Sequence, residues 1–256
     1  MKKVFMLLAS LAVVFAMASC GKDNKGGDDN LIDDKGGNTE ENLHASLQGS
    51  DYYVLLMDGE TFGKIEKKVK ADIRMQDGAD GEATRPLYIW NGYAGGTAEG
   101  LNFYGVAGEY MCLQVTAGAG WSGFGHFMKI SDPNFGKMKE ITGDYYFHFC
   151  YKGAANTVHA LYPWWGPEAS GAYKMSVGEG NEFEDKGVKF EFAVPISNGG
   201  KFVANEWNEY EIKVSDMGID FTAAPAQEDG QNIFCGLSGG VPGTTINLDA
   251  VFFYKK

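Results

Sequence analysis

The chain has 256 residues, 44% of them hydrophobic and 14% aromatic, with a formal charge of −12. That length and apolar content suffice for one packed core or two small ones, and they exclude a disordered chain. The acidic balance argues against nucleic acid and anionic lipid as partners, because both are bound through basic patches.

At the amino terminus, Lys2 and Lys3 precede an apolar run from Val4 to Met17 that is too short to span a bilayer as a helix. It reads as a secretory signal. The run closes on Met17-Ala18-Ser19-Cys20, small residues directly before a cysteine. This order resembles the lipobox of bacterial lipoproteins, which implies removal of residues 1–19, a lipid on Cys20 and an anchor in the outer membrane. Losing Lys2 and Lys3 and no acid moves the formal charge from −12 to −14. From Gly21 to about Leu43 the chain is Gly, Asp, Asn, Lys and Glu with almost nothing apolar, so it cannot repay its ordering entropy. The expected plan is therefore signal peptide 1–19, lipidated cysteine and acidic tether 20–45, and folded domain 46–256. Asp23, Asp28 and Asp29, interrupted by Lys22 and Lys25, resemble the export signals of Bacteroidota surface lipoproteins and imply display on the cell exterior.

From Asp51 onward, short apolar or alternating runs recur between turn-rich segments, and the 36 glycines fit many tight turns. Lys68 to Met75 and Asn208 to Val214 alternate cleanly and predict half-buried strands. Tyr52 to Met57, Tyr110 to Val115 and Tyr145 to Tyr151 are apolar on both faces, as strands covered on two sides must be. Further strands are predicted at Leu87 to Trp90, Phe124 to Ile130, Thr157 to Tyr162, Tyr173 to Val177, Val188 to Ala193, Ile233 to Leu237 and Thr245 to Tyr254. Asp144 to Trp165 reads as a hairpin closed by Lys152 to Asn156, placing His148 and His159 on neighbouring strands. Only Lys137 to Ile141 has the look of a helical turn. The predicted fold is all-β, a two-sheet antiparallel β-sandwich.

The aromatic residues are the main candidates for function. Sugars present apolar C–H faces and hydroxyl rims, so their sites combine an exposed ring with groups that donate and accept hydrogen bonds. Trp90-Asn91-Gly92-Tyr93 ends a strand and enters a glycine-rich loop, Trp121 sits between glycines in GWSGFG, and Trp164-Trp165 lies between Pro163 and Pro167. Adjacent residues of an extended chain point opposite ways, so the pair is expected to put at least one indole on the surface. The glycan-binding candidates are Trp90, Asn91, Tyr93, Trp121, Trp164 and Trp165, each set against a plain core role. Glu182, Glu184 and Asp185 read as a solvated turn rather than a catalytic pair. No serine, cysteine or H-E-x-x-H motif accompanies the histidines, so no catalytic residue is expected. Cys112, Cys150 and Cys235 sit in apolar runs without zinc spacing and read as small buried hydrophobes. Asp249, counted onto the same face as Val251 and Phe253, needs hydrogen bonds or a cation; calcium would draw further oxygens from Asp51, Asp58 and Glu60.

The closing Asn247-Leu248-Asp249-Ala250-Val251-Phe252-Phe253, the strand Trp207 to Val214 and the central GWSGFG resemble galactose-binding-like jelly rolls, found in many carbohydrate-binding modules. With the lipobox and acidic tether, the chain is similar to surface lipoproteins that Bacteroidota use in polysaccharide capture. The resemblance implies a non-catalytic glycan binder, a structural calcium near Asp249, and partnership with an outer-membrane transport or glycan-utilisation complex. The alternative is a structural or protein-interaction subunit of an outer-membrane complex, whose rings pack against a partner protein.

Overall fold

The structure, a computed structural model, describes residues 43–76, 83–90, 93–95, 98, 100–115, 123–167, 171–179, 184–185, 187–237 and 243–256. Residues 40–256 form one compact unit. The strands are β1 (Ser50–Leu56), β2 (Val69–Asp72), β3 (Leu87–Trp90), β4 (Tyr93–Gly95), β5 (Met111–Val115), β6 (Gly123–Lys129), β7 (Tyr146–Lys152) and β8 (Val158–Pro163). They continue as β9 (Met175–Gly178), β10 (Glu184–Asp185), β11 (Val188–Lys189), β12 (Glu191–Phe192), β13 (Asn208–Lys213), β14 (Gly230–Leu237) and β15 (Thr245–Lys255). Two sheets result. The first runs β13-β7-β15-β1-β2, with β5 on β15 and β4 on β5; the second runs β12-β9-β8-β14-β6-β3. The all-β sandwich is therefore present, but its sheets are mixed, since β2 pairs parallel with β1 and β12 parallel with β9.

The core lies between the sheets. Tyr53, Leu55, Phe147, Phe149, Val251 and Phe253 from the first sheet meet Phe124, Met128, Leu161, Met175, Val177 and Phe234 from the second. Strands apolar on both faces need a second cover, and the first sheet has one. Tyr52, Val54, Cys150, Phe252 and Tyr254 on its outer face pack with Leu47, Ile65, Phe103 and Tyr104. Those four belong to a 3₁₀ helix (Ala45–Leu47), helix α1 (Gly59–Ile65) and the loop after Leu101.

Several expectations are corrected. The run 144–165 is not a hairpin, because β7 lies in the first sheet between β13 and β15 while β8 lies in the second between β9 and β14. Each run is apolar enough to be central in its own sheet, so the connecting segment crosses the sandwich. His148 and His159 are consequently not neighbours. Helix α1 escapes periodicity because it is seven residues long with glycine at 59 and 63; Asp58 caps it, Oδ1 accepting from Thr61 N at 2.7 Å. A second short helix, α2 (Val214–Met217), takes over where β13 ends at Lys213. The expected turn near Lys137 is a 3₁₀ helix, Phe135–Glu140. Among the described residues no helix is long and apolar enough to cross a membrane.

Candidate functional site

The outer face of the second sheet carries the aromatic surface. Register fixes which residues share it: Tyr88 pairs with Gly125, Gly125 with Cys235, and Cys235 with Tyr162, one row across β3, β6, β14 and β8. Two residues along, Trp90, Gly123, Leu237, Ala160 and Ser176 make the next row. Ala160, Tyr162, Phe190 and Cys235 form a small cluster on this face, with Trp90, Trp164 and Ala172 packed against it.

Trp90 is half-buried and its indole lies across the neighbouring strand. A Cβ on Gly125 would fall 2.7 Å from Trp90 Cη2 and 2.9 Å from Cζ2, so only glycine lets the ring rest there. Asn232 reaches the same spot from β14 and would also meet that Cβ. Its Oδ1 is buried and has no hydrogen-bond partner among the described residues. A buried acceptor left unmet costs free energy, and because this one lies covered beside the Trp90 ring, an outside donor reaches it only when that ring shifts. Trp164 is half-buried at the far side of the face, its ring 6.3 Å from Tyr162 and its Nε1 donating to Gly166 O at 2.7 Å. Tyr162 in turn lies edge-on to Phe190 at 6.3 Å. At the rim, Tyr173 donates to Glu191 Oε2, and burial, then the Glu191 charge, push its phenol up to about 12. The phenol therefore stays protonated in any physiological medium. Partly exposed rings such as Trp90 and Trp164 can stack on an apolar sugar face.

The predicted site residues separate. Trp90 and Trp164 share this face, each packed against the same small cluster. Trp165 does not: at 3% exposure it packs against Phe135 and Phe221, its Nε1 donating to Ala223 O at 3.1 Å. Its ring is the core plug and Trp164 the outward one, as opposite pointing of adjacent residues requires. Tyr93 opens β4 in the first sheet, across from Val115, and so belongs to a different sheet from Trp90. Asn91, Trp121 and Cys20 lie outside the described residues. Sequence reasoning missed Tyr88, Gly125, Tyr162 and Asn232. Tyr162 was findable, two residues before Trp164 on the same side of a strand; the other three are placed only by sheet register.

Asp249 also differs from expectation. A bulge between Asp249 and Phe252, with Ala250 at φ 52°, reverses the alternation, so Asp249 faces outward while Val251 and Phe253 enter the core. Oδ2 accepts from Phe103 N at 3.0 Å, and Oδ1 is buried with no partner at hydrogen-bond distance among the described residues. Burial pushes this carboxyl up from 3.8 to about 7; the Ala250 and Phe103 amides pull it down and the Asp58 charge pushes it up. First and last strands do pair, as β1 with β15. Even so, the donors do not fit calcium. Asp58 already accepts from Thr61 N and Asn102 Nδ2, Asp51 faces Lys70, and Glu60 pairs with Lys64. No group of three or more His, Cys, Asp or Glu converges among the described residues, whereas calcium takes six to eight oxygens.

The histidines divide by environment. His148 is held by Ala250 O at 2.7 Å and Glu209 Oε1 at 3.0 Å. Among the described residues, His159 meets Tyr151 OH at 2.7 Å through Nδ1 alone, and neither nitrogen of His126 has a partner. Cys112, Cys150 and Cys235 are not in disulfides, the last two buried as expected and Cys112 half-buried.

No protein-family model matches the chain, and no curated protein matches it. Among solved structures it is similar to SGBP-B from a complex xyloglucan utilization locus in Bacteroides uniformis, at 14% identity and TM-score 0.37, covering 68% of this chain and 48% of that one. It is also similar to a family 11 carbohydrate-binding module from Clostridium thermocellum in complex with a mixed-linked tetrasaccharide, at 10% identity and TM-score 0.35, covering 70% and 94%. The enzymatically active domain of a bacteriophage CBA120 tailspike protein matches at 13% identity and TM-score 0.34; this chain spans 21% of it. Likeness at this level transfers no residue of those proteins to this chain.

Proposed function

We propose that this chain is a non-catalytic lipoprotein, anchored at the outer membrane through Cys20 and facing the exterior, that binds polysaccharide on the outer face of its second sheet. The observation that carries the reading is the Trp90 indole lying on Gly125 beside the unpartnered Asn232 acceptor, with Tyr162 and Trp164 farther along the same face. Trp90 and Trp164 supply stacking surface, and Asn232, reached when the Trp90 ring shifts, supplies the polar contact that fixes orientation. Affinity per site is modest, because sugar hydroxyls trade bonds to water for bonds to protein; many anchored copies compensate by avidity. Native affinity gels containing plant, fungal, bacterial and host polysaccharides test this on a chain starting at residue 21. Retardation by at least one polymer, falling about tenfold in Trp90→Ala or Trp164→Ala, is the expected result. Retardation unchanged in both variants would remove the site from this face.

One observation favours a second reading, a subunit that docks another envelope protein. Phe192, Val194 and Ile196, at alternate positions, are 41%, 64% and 52% exposed. They follow the chain from the edge strand β12 to the edge of the first sheet, where Ile196 N donates to Glu209 O at 2.8 Å. A row of apolar side chains along a sheet edge is a surface that partners pair with. No retardation by any polymer, together with a partner captured by the wild type and lost in Val194→Lys, would favour this reading.

A further inference from the structure

The cover over the outer face of the first sheet stops short of one end. There Gln114 pairs with Thr245, and Cys112, Asn247 and Lys152 form the next row across β5, β15 and β7. Their neighbours Met111, Leu113, Ile246, Leu248 and Tyr151 point into the core, so this row points out. Trp207, just before β13, and Tyr110, just before β5, stand over the end of the row. Their rings are perpendicular at 5.1 Å, and Trp207 is fixed by Nε1 donating to Leu101 O at 2.9 Å.

The Lys152 ammonium sits in the notch between them, 4.8 Å from the Tyr110 centroid and 4.7 Å from that of Trp207. It has no hydrogen-bond acceptor and no carboxylate within ion-pair distance among the described residues. Partial burial lowers its pKa, with the nearby Cys112 opposing. Aromatic faces hold a cation in place but leave its N–H donors unused. This contrasts with the cavity of about 430 Å³ lined by His44, Glu209, Glu211, Tyr254 and Lys256 on the same sheet. There Glu211 accepts from Tyr254 and pairs with Lys256, and Glu209 meets His148, so those charges are already answered.

We propose that Lys152, framed by Tyr110 and Trp207 with Asn247 and Gln114 beside it, is a second saccharide subsite that takes a sugar unit bearing a carboxylate or a sulfate ester. The proposal rests on the glycan-binding reading and adds a class of ligand to it. An anionic oxygen completes the ammonium with a charge-assisted bond, and the two rings and two amides give the sugar body a wall and polar contacts. A chain of formal charge −12 repels polyanions at long range, so their binding requires a local, unanswered cation of this kind.

Affinity gels with polygalacturonate, its carboxyl-reduced neutral counterpart, alginate, chondroitin sulfate and a sulfated galactan test it on the chain from residue 21. The expected result is retardation by at least one acidic polymer that falls about tenfold in Lys152→Met and stays in Lys152→Arg. Unchanged circular dichroism confirms that the methionine variant is folded. Dependence on Lys152 with carboxylated polymers only, or with sulfated ones only, identifies the anion. Equal retardation by the carboxyl-reduced polymer, or no Lys152-dependent retardation by any acidic polymer, overturns the subsite. Neutral-polymer binding lost in Trp90→Ala would survive that outcome, whereas failure on every polymer would remove the glycan-binding reading itself.

Discussion

Asp249 shows how one buried carboxyl ties chemistry to stability. Its pKa is about 7 when folded against 3.8 as a free side chain, because burial disfavours the charged form. The folded state therefore binds the proton more tightly than the unfolded state between those values. Stability from this group is fully present below pH 3.8 and is lost as pH rises through 7. The shift bounds the loss at roughly 4 kcal/mol. Asp249→Asn, uncharged at every pH, is expected to raise the denaturation midpoint at pH 8 and leave it little changed at pH 4. Urea titrations of both proteins at the two pH values check this, and a larger gain at pH 4 would contradict it. The same residue marks a limit of sequence reading: counting alternate positions put it with Val251 and Phe253, and one bulge at Ala250 reversed the count.

At the level of elements, β6 and β14 divide by face: Phe124, Met128, Ile233 and Phe234 fill the core, while Gly125 lies on the outer face under Trp90. Gly125 has no side chain because Trp90 and Asn232 occupy the space one would fill. The obstructing atoms are the far ends of movable side chains, so Gly125→Ala should displace them rather than break the strand pairing. The expected result is a nearly unchanged melting temperature with polysaccharide retardation reduced several-fold, read by calorimetry and affinity gel. A large drop in melting temperature would instead make Gly125 a structural requirement. Strand positions themselves were legible, since alternation or a doubly apolar run appears at β1, β5, β7, β13 and β15. The partners of those strands were not. The segment after β7 crosses to the other sheet, and no local signal separates that from a hairpin turn.

The whole molecule carries an acid-sensitive interior. Burial lowers His126 to about 3, with the Arg85 charge adding to the effect, and burial lowers His159 to about 4, both from 6.5. Each is neutral when folded, while the unfolded chain takes up protons below pH 6.5. Their stability contribution is present above that pH and is lost as pH falls towards 4 and then 3. Among these three groups, two histidines oppose the single Asp249 over pH 4 to 6.5, so their sum makes stability rise with pH there; above 6.5 Asp249 is the one of the three whose contribution still falls. His126→Leu should shallow the acid limb in urea melts, and an unchanged limb would contradict the assignment. By itself the sequence determined an acidic chain with a signal-like start, an all-β class and most strand positions, because charge and alternation are local properties of the chain. Only the tertiary structure decided that Trp165 is core and Trp164 surface, that Asp249 turns outward under a loop, and that Lys152 stands unanswered between Tyr110 and Trp207. These depend on which strands become neighbours, and that is fixed by packing between residues far apart in the chain.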